Sequence, residues 1–430
     1  MDANQQPRVK RTLDGWRYSW DNDAAVITIE NIAENGDGVT AEVTISTALA
    51  PIAGVLAWGR TNISSITSRS AIVRAAKERL DTFDWEGAML QAAAHAVRRY
   101  RSGSKLVELS SVETERQRWV LYPYLESGGP TVLYAAGGSC KSVLALGMCV
   151  SMATGRAVVG KPHVEPCNVL YLDWETDEQT HAERLKAILR GNFIRELAPG
   201  RIFYKYMSAP LPEAVAQIRR DVRRYDIRFI VVDSISYAAG GDINEAACAT
   251  YFYRKLRDIP AWWLLVGHIR KPGQMQAKDD AASLYGSVYW FNGARMLWQA
   301  EAIREEESPT VQVRLSQQKA NNTMRARQHG FELQFVATDE LGALESIRIR
   351  SLDLSQVPEF AQKLTWKQRI TAALKDGAKS REELAEELGI APDDEKAMHC
   401  LDKELSKLSG KGVILRLQRG LYGLQDGAQN

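Results

Sequence analysis

The sequence predicts an α/β protein whose largest unit is a parallel sheet covered by helices. Three observations predict it. Four apolar, β-prone runs recur along the chain: 131–134 (TVLY), 168–173 (NVLYLD), 227–233 (IRFIVVD) and 261–268 (AWWLLVGH). Their near-continuous hydrophobicity suits strands buried on both faces. Helical patterns separate some of these runs, which is the alternation of a sheet with crossover helices. Each run also delivers polar groups at its carboxyl end: Lys141 and Ser142 after a short loop, then Asp173 and Glu175, then Asp233, then His268, Arg270 and Lys271. Ligands of open parallel sheets bind at the carboxyl ends of the strands.

Residues 1–115 come first and read as a small α+β domain. Three β-like runs, GWRYSW, AAVITIENI and VTAEVTIST, are separated by turn residues such as Glu34-Asn35-Gly36-Asp37-Gly38. A fourth run, IAGVLAWG (52–59), precedes amphipathic helical patterns over 70–83 and 84–101. Trp16, Trp20 and Trp58 carry two readings. They are core residues of a meander, or, with Arg17, Arg60 and Arg69, a surface that stacks and charge-pairs with single strands. A polar stretch near 103–117 reads as the linker.

The second domain spans 116–345. Residues 131–142 read TVLYAAGGSCKS and lead into the helical pattern VLALGMCVSMA. Strand, glycine loop, Lys-Ser and helix form the layout of a phosphate-binding P-loop. Backbone N–H groups of Ala136, Gly137, Gly138, Ser139 and Cys140 would cradle phosphate at the helix start. Lys141 would reach the β- and γ-phosphates, and Ser142 would bind Mg²⁺. In the pattern G-x-x-x-x-G-K-[ST] the two glycine positions hold Ala135 and Cys140. Asp173 and Glu175, two residues apart, are expected to share one strand face. The ordered acids after Lys141-Ser142 point to a nucleoside triphosphate site.

These motifs are similar to those of the RecA-fold ATPases and, within them, the RepA-like replicative helicases. The resemblance covers about residues 116–345. AAGGSCKS stands where the family has its Walker A loop, and YLDWE places Glu175 as the residue that activates the attacking water. Arg184 matches an arginine near the nucleotide, and FIVVD gives Asp233 as the Walker B aspartate. LLVGHIRK resembles a sensor segment, with His268 reading the γ-phosphate. FNGARMLWQ puts Arg295 where such helicases carry an arginine that reaches the neighbouring subunit's nucleotide, with Arg325 and Arg327 as alternatives. SQQKANNTMRAR places Lys319 in the family's Lys-Ala-Asn run. Loops after the sensor strand face DNA in such motors, which makes Arg270, Lys271 and Lys278 candidate phosphate contacts.

Residues 363–430 form a third module. LTWKQRITAALKDG, KSREELAEELGI with Ser380 as cap, and APDDEKAMHCLDKELSKLSGKG read as three helices, and VILRLQRGLYGL reads as a hairpin around Arg419-Gly420. The pattern resembles a winged helix-turn-helix. Its charge is nearly balanced, 12 Lys+Arg against 11 Asp+Glu over 361–430. DNA contact through Lys396, Lys403, Lys407, Lys411, Arg416 and Arg419, and a protein-contact role, both remain open.

Composition narrows the class. Lys+Arg 55 against Asp+Glu 53 gives a net +2, so any basic nucleic-acid surface must be local. The five cysteines are scattered and lack C-x-x-C spacing, which argues against a disulfide framework and a structural zinc site. The polar start MDANQQPRVKRTLDG has no apolar core for a signal peptide. The longest apolar run, around 143–153, is too short to span a bilayer. The resulting expectation is a cytoplasmic, DNA-dependent ATPase using ATP and Mg²⁺. It would act as a ring-forming, hexameric helicase or translocase on single-stranded DNA, in replication of a phage, plasmid or mobile element, without membrane contact. The alternatives are an ATP-switched DNA-binding regulator and a single-strand recombination mediator or loader.

Overall fold

A computed structural model describes residues 6–12, 14–49, 53–103, 106–113, 118–198, 200–269, 284–305, 308–324, 326, 328–338, 343–417 and 420–425. The chain divides into two compact units. One holds residues 1–116, 209–227 and 254–260, and the other holds 117–208, 228–253 and 261–430.

The first unit is built on a five-stranded antiparallel sheet in sequential order: Arg8–Arg11, Gly15–Trp20, Ala25–Asn35, Gly38–Thr47 and Gly54–Asn62. One face is apolar. Tyr18, Ile27, Ile29, Val43 and Ile45 bury there with Trp85, Met89 and Ala92 of the helix Trp85–Arg101. The first helix runs Ile66–Lys77, earlier than the expected 70–83, because the Ser65 side chain caps it by accepting from Ser68 N–H. The tryptophans separate. Trp16 and Trp20 pack in or against the core, whereas Trp58 on the edge strand is 80% exposed.

The second unit contains a nine-stranded sheet. Its order is 202–206, 168–173, 227–233, 262–268, 131–135, 296–304, 310–320, 329–337, 344–352. The P-loop strand Thr131–Ala135 lies between Trp262–His268 and Met296–Arg304 and is parallel to both. Asn168–Asp173 pairs in parallel with Ile202–Tyr206, and Ile227–Asp233 with Trp262–His268. The last three strands are antiparallel, so the sheet is mixed rather than wholly parallel. All five residues of Thr131–Ala135 are buried. The helix Lys141–Thr154 is buried from Val143 to Ala153 and ends at Gly155, whose φ of 75° is the left-handed stop glycine accepts. This burial fixes the loop before it, Ala136–Cys140, at the carboxyl edge of the sheet.

Three further helices, Trp366–Ala373, Arg381–Glu387 and Glu395–Gly410, pack through Ile370, Leu384, Leu401, Leu405 and Leu408. Thr365 and Ser380 start the first two with reciprocal capping boxes. Short strands Lys379–Ser380, Ile414–Arg416 and Leu421–Leu424 form a three-stranded sheet beside them.

Candidate active site

The strand order brings the carboxyl ends of 131–135, 262–268 and 227–233 side by side. His268 is the register partner of Ala135, and Asp233 that of Val266. Trp174 N–H donates to the Asp233 carbonyl at 2.9 Å, which ties the end of Asn168–Asp173 to the same edge. Sequence-distant polar groups therefore converge where a parallel sheet binds ligand.

The loop Ala136–Cys140 leaves an open cradle. A Cβ at Gly137 or Gly138 would meet nothing within 4 Å. Cys140, standing at a glycine position of the motif, has φ 60° and ψ 21°. A non-glycine residue in that left-handed conformation costs about 1–2 kcal/mol. Burial raises the Cys140 thiol pKa, and the nearby cations of Arg304, Arg184 and Lys141 oppose it without winning. The charge of Arg184 thus reaches the loop, and Arg304, on a strand more than 160 residues away in sequence, lines the cavity beside it.

Lys141 is buried, and its ammonium donates to the carbonyls of Ala136 at 2.8 Å and Ala135 at 3.3 Å. Burial pushes its pKa down, while Asp233 and Glu175 pull it up. Asp233 is buried. It accepts a hydrogen bond from Tyr171 Oη at 2.6 Å and another from Ser142. Burial raises its pKa against those two bonds. One hydroxyl and one carboxylate in contact are the hard oxygen donors Mg²⁺ takes, with phosphate and water completing its shell. Among the described residues no cluster of three or more His, Cys, Asp or Glu forms a self-sufficient metal site. Ser142 and Asp233 thus fit a cation shared with a phosphate ligand.

Glu175 Oε1 accepts from Ser234 Oγ and lies 3.3 Å from His268 Nε2. The His268 hydrogen bond is the main cause that holds its carboxyl below the usual range, and Lys141 adds to it. Glu175 is partly exposed, beside both the Lys141 ammonium and the His268 ring. The shared-face expectation for Asp173 and Glu175 fails. The strand ends at Asp173 and the chain turns at once, so alternation does not extend to Glu175. Asp173 is directed to His181, Tyr204 and Thr176 instead.

Arg295 is not part of this cluster. It directly precedes Met296, which pairs with Thr131 at the amino end of the P-loop strand. Its side chain is exposed and runs over Gly129, where an added Cβ would lie 2.6 Å from Arg295 Cγ. Lys319 donates to the carbonyls of Phe291, Asn292 and Ala294, and so closes the helix end just before Arg295. Arg270, Lys271 and Lys278 lie outside the described residues, as do Arg325, Arg327 and Arg419. Of the C-terminal cations, Lys407 pairs with Glu404 at 2.7 Å. Within the same module Arg381 binds Asp402 through two bonds of 2.6 and 3.0 Å.

A cavity of about 430 Å³ adjoins the loop, walled by Gly137, Gly138, Ile303, Arg304, Phe360 and Lys363. No described helix is long and apolar enough to cross a membrane.

A family model for the AAA domain matches residues 96–274, less than half of the chain. Among solved structures, a KaiC-like protein from the hyperthermophilic archaeon Pyrococcus horikoshii is similar at 14% identity and a TM-score of 0.37, over 54% of this chain and 93% of that one. No curated protein matches. The buried P-loop strand, the Lys141–Ser142–Asp233 cluster and the AAA match together support a P-loop ATPase core in this chain.

Proposed function

We propose that the chain is a DNA-dependent ATPase of the RecA fold, close in design to the RepA-like helicases, and that it works as a closed ring of copies. One observation carries the ATPase part: Lys141, Ser142, Glu175, Asp233 and His268 come from four strand ends and meet at one edge, linked by hydrogen bonds or charge. Phosphoryl transfer needs positioning and charge neutralisation, with no covalent intermediate. Lys141 would leave its loop carbonyls for the β- and γ-phosphate oxygens. When bound between Ser142, Asp233 and the phosphates, Mg²⁺ would neutralise charge that builds on the leaving group. Glu175, ionised and aimed by Ser234 and His268, would orient the attacking water. His268 would report loss of the γ-phosphate to the segment that follows it, which carries Arg270, Lys271 and Lys278. The cavity beside Gly137 is large enough for the nucleoside.

DNA and self-assembly rest on the resemblance around His268 and Arg295. The deciding experiment measures ATP turnover with and without single-stranded DNA, with particle size and strand displacement on the same preparation. DNA-stimulated turnover, a closed oligomer and displaced strand are the expected results. Turnover without displacement selects the mediator or loader, and nucleotide-gated DNA binding without turnover selects the regulator. For the C-terminal module one observation favours protein over DNA contact. Arg381 and Lys407 are bound to carboxylates of their own module, while Leu415 and Leu417 stand 44% and 45% exposed.

A further inference from the structure

Asp173 and Glu175 are two residues apart and have different neighbours. Asp173 is 1% exposed, and its carboxylate takes five donors. These are Glu175 N–H at 3.0 Å, Thr176 N–H at 3.2 Å, Thr176 Oγ1 at 2.6 Å, Tyr204 Oη at 3.0 Å and His181 Nε2 at 3.2 Å. Burial disfavours the anion, but the donors outweigh it and hold the group well below the usual carboxylate range. Two of the five are backbone N–H groups of the turn that carries Glu175. That turn is therefore closed by an Asp side chain, as in an Asx-turn.

Tyr171 stands two residues earlier on the same strand and so on the same face as Asp173. Its hydroxyl donates to Asp233 Oδ2 at 2.6 Å. His181, from the helix Glu178–Gly191 that also carries Arg184, fills the space between. Its ring centroid lies 4.5 Å from that of Tyr171 and 5.2 Å from that of Tyr204. The buried cluster thus touches the residue that would orient water through its backbone, and the residue that would hold Mg²⁺ through its carboxylate.

We propose that Asp173 and Tyr171 are positioning residues for hydrolysis: Asp173 fixes the turn that presents Glu175, and Tyr171 fixes the Asp233 carboxylate, with His181 bracing both. This rests on the nucleotide reading of the site. Groups that orient metal-binding carboxylates are typically worth about 10–100-fold in metal affinity or activity. A cluster that only stabilised the fold would change melting temperature and leave the cation dependence of binding untouched.

The test uses the full chain and a fluorescent ADP analogue, titrated with and without Mg²⁺, alongside kcat and KM for ATP. Tyr171→Phe keeps the ring packing and deletes one hydrogen bond. It should raise the Mg²⁺ concentration for half-maximal binding about 10–100-fold and leave Mg²⁺-free binding unchanged. Asp173→Asn keeps an oxygen for the Glu175 N–H. It should lower kcat less than Asp173→Ala does, with KM unchanged in both. If Asp173→Ala does not fold, Thr176→Val, which removes one donor to Asp173, replaces it. Wild-type Mg²⁺ dependence in Tyr171→Phe, while Lys141→Ala has lost hydrolysis, would overturn the positioning role and leave the ATPase reading standing. A wild type that binds no nucleotide with Mg²⁺ would overturn both.

Discussion

The two ends of the Thr131–Ala135 strand make opposite demands. At the carboxyl end, Lys141, Ser142, Asp233, Glu175 and His268 are joined by hydrogen bonds or charge. At the amino end, Arg295 is exposed, and its guanidinium makes no ion pair among the described residues. The strand's five residues make four steps from one end to the other, roughly 13 Å. The near, carboxyl end gathers the loop, Lys141, Ser142 and Asp233, with the charges of Arg184 and Arg304 nearby. The far, amino end presents a single exposed guanidinium over Gly129. In the proposed ring, a head-to-tail interface would bring Arg295 of one copy to the loop of the next.

The sharpest way to break the comparison is to remove the near end. Lys141→Ala should abolish most ATP hydrolysis, since it removes the ammonium that is bonded to the loop's own carbonyls. Glu175→Gln keeps shape and hydrogen bonding but loses the carboxylate, so it should bind ATP normally and turn over very slowly. Steady-state hydrolysis with nucleotide affinity measures both. Normal turnover in Glu175→Gln would remove that residue from the water-orienting role.

The next largest effect concerns the far end. An arginine supplied in trans is worth about 10³–10⁵ in rate. Arg295→Ala should bind ATP as wild type does and hydrolyse it at a rate reduced on that scale. Mixed with Lys141→Ala subunits, it should recover part of the activity, because one class of boundary pairs an intact loop with an intact arginine. No recovery, or full activity in a strict monomer by light scattering, would show that the two ends do not cooperate.

Legibility in the sequence followed the same division. Lys141, Ser142, Glu175 and Asp233 could be read because short, ordered motifs carry their spacing along the chain. Their convergence could not, since the strand order 168–173, 227–233, 262–268, 131–135 is a tertiary property. Strand alternation predicts one face for Asp173 and Glu175, but the strand ends at Asp173 and the turn after it redirects Glu175. Tyr171 reads as one more apolar strand residue, and only the fold brings Asp233 to its hydroxyl. Ile202–Tyr206 lacks the sequence signal of the central strands, because an edge strand that is only partly buried does not carry their continuous hydrophobicity. The strands from Met296 to Leu352 lie wholly beyond the family match, which ends at 274.

A smaller effect is expected at Cys140, where the near end departs from the motif. Cys140→Gly relieves the left-handed conformation, worth about 1–2 kcal/mol, but loosens the unfolded chain by about 0.5–1 kcal/mol. The balance predicts unchanged or slightly higher melting temperature and equal or faster hydrolysis. Because burial raises its thiol pKa, Cys140 should also alkylate slowly, and ATP should slow it further. Mass spectrometry after timed alkylation reads this directly. An inactive but folded Cys140→Gly would mean that the sulfur has a role of its own.

The smallest effect tests whether the ends differ in stability as well as chemistry. Glu301, on the strand that leaves Arg295 and runs past the loop, accepts from Arg314 at 2.7 Å and Lys363 at 2.6 Å. Burial would raise its carboxyl pKa, but these two cations outweigh that and hold it below its ordinary value of 4.5. A depressed folded-state pKa gives stability that is full above that ordinary value and is lost as pH falls through the folded one. Melting temperature should therefore drop on acidification below about pH 4.5. Lys363 is half-exposed, so Lys363→Ala should cost only about 0.2–1 kcal/mol at neutral pH. It should also flatten the acid limb, because Glu301 then titrates nearer its ordinary value. An unchanged acid limb would show that Arg314, the buried partner, holds Glu301 alone. In that case the contact from Lys363 to the wall of the 430 Å³ cavity adds nothing to the near end.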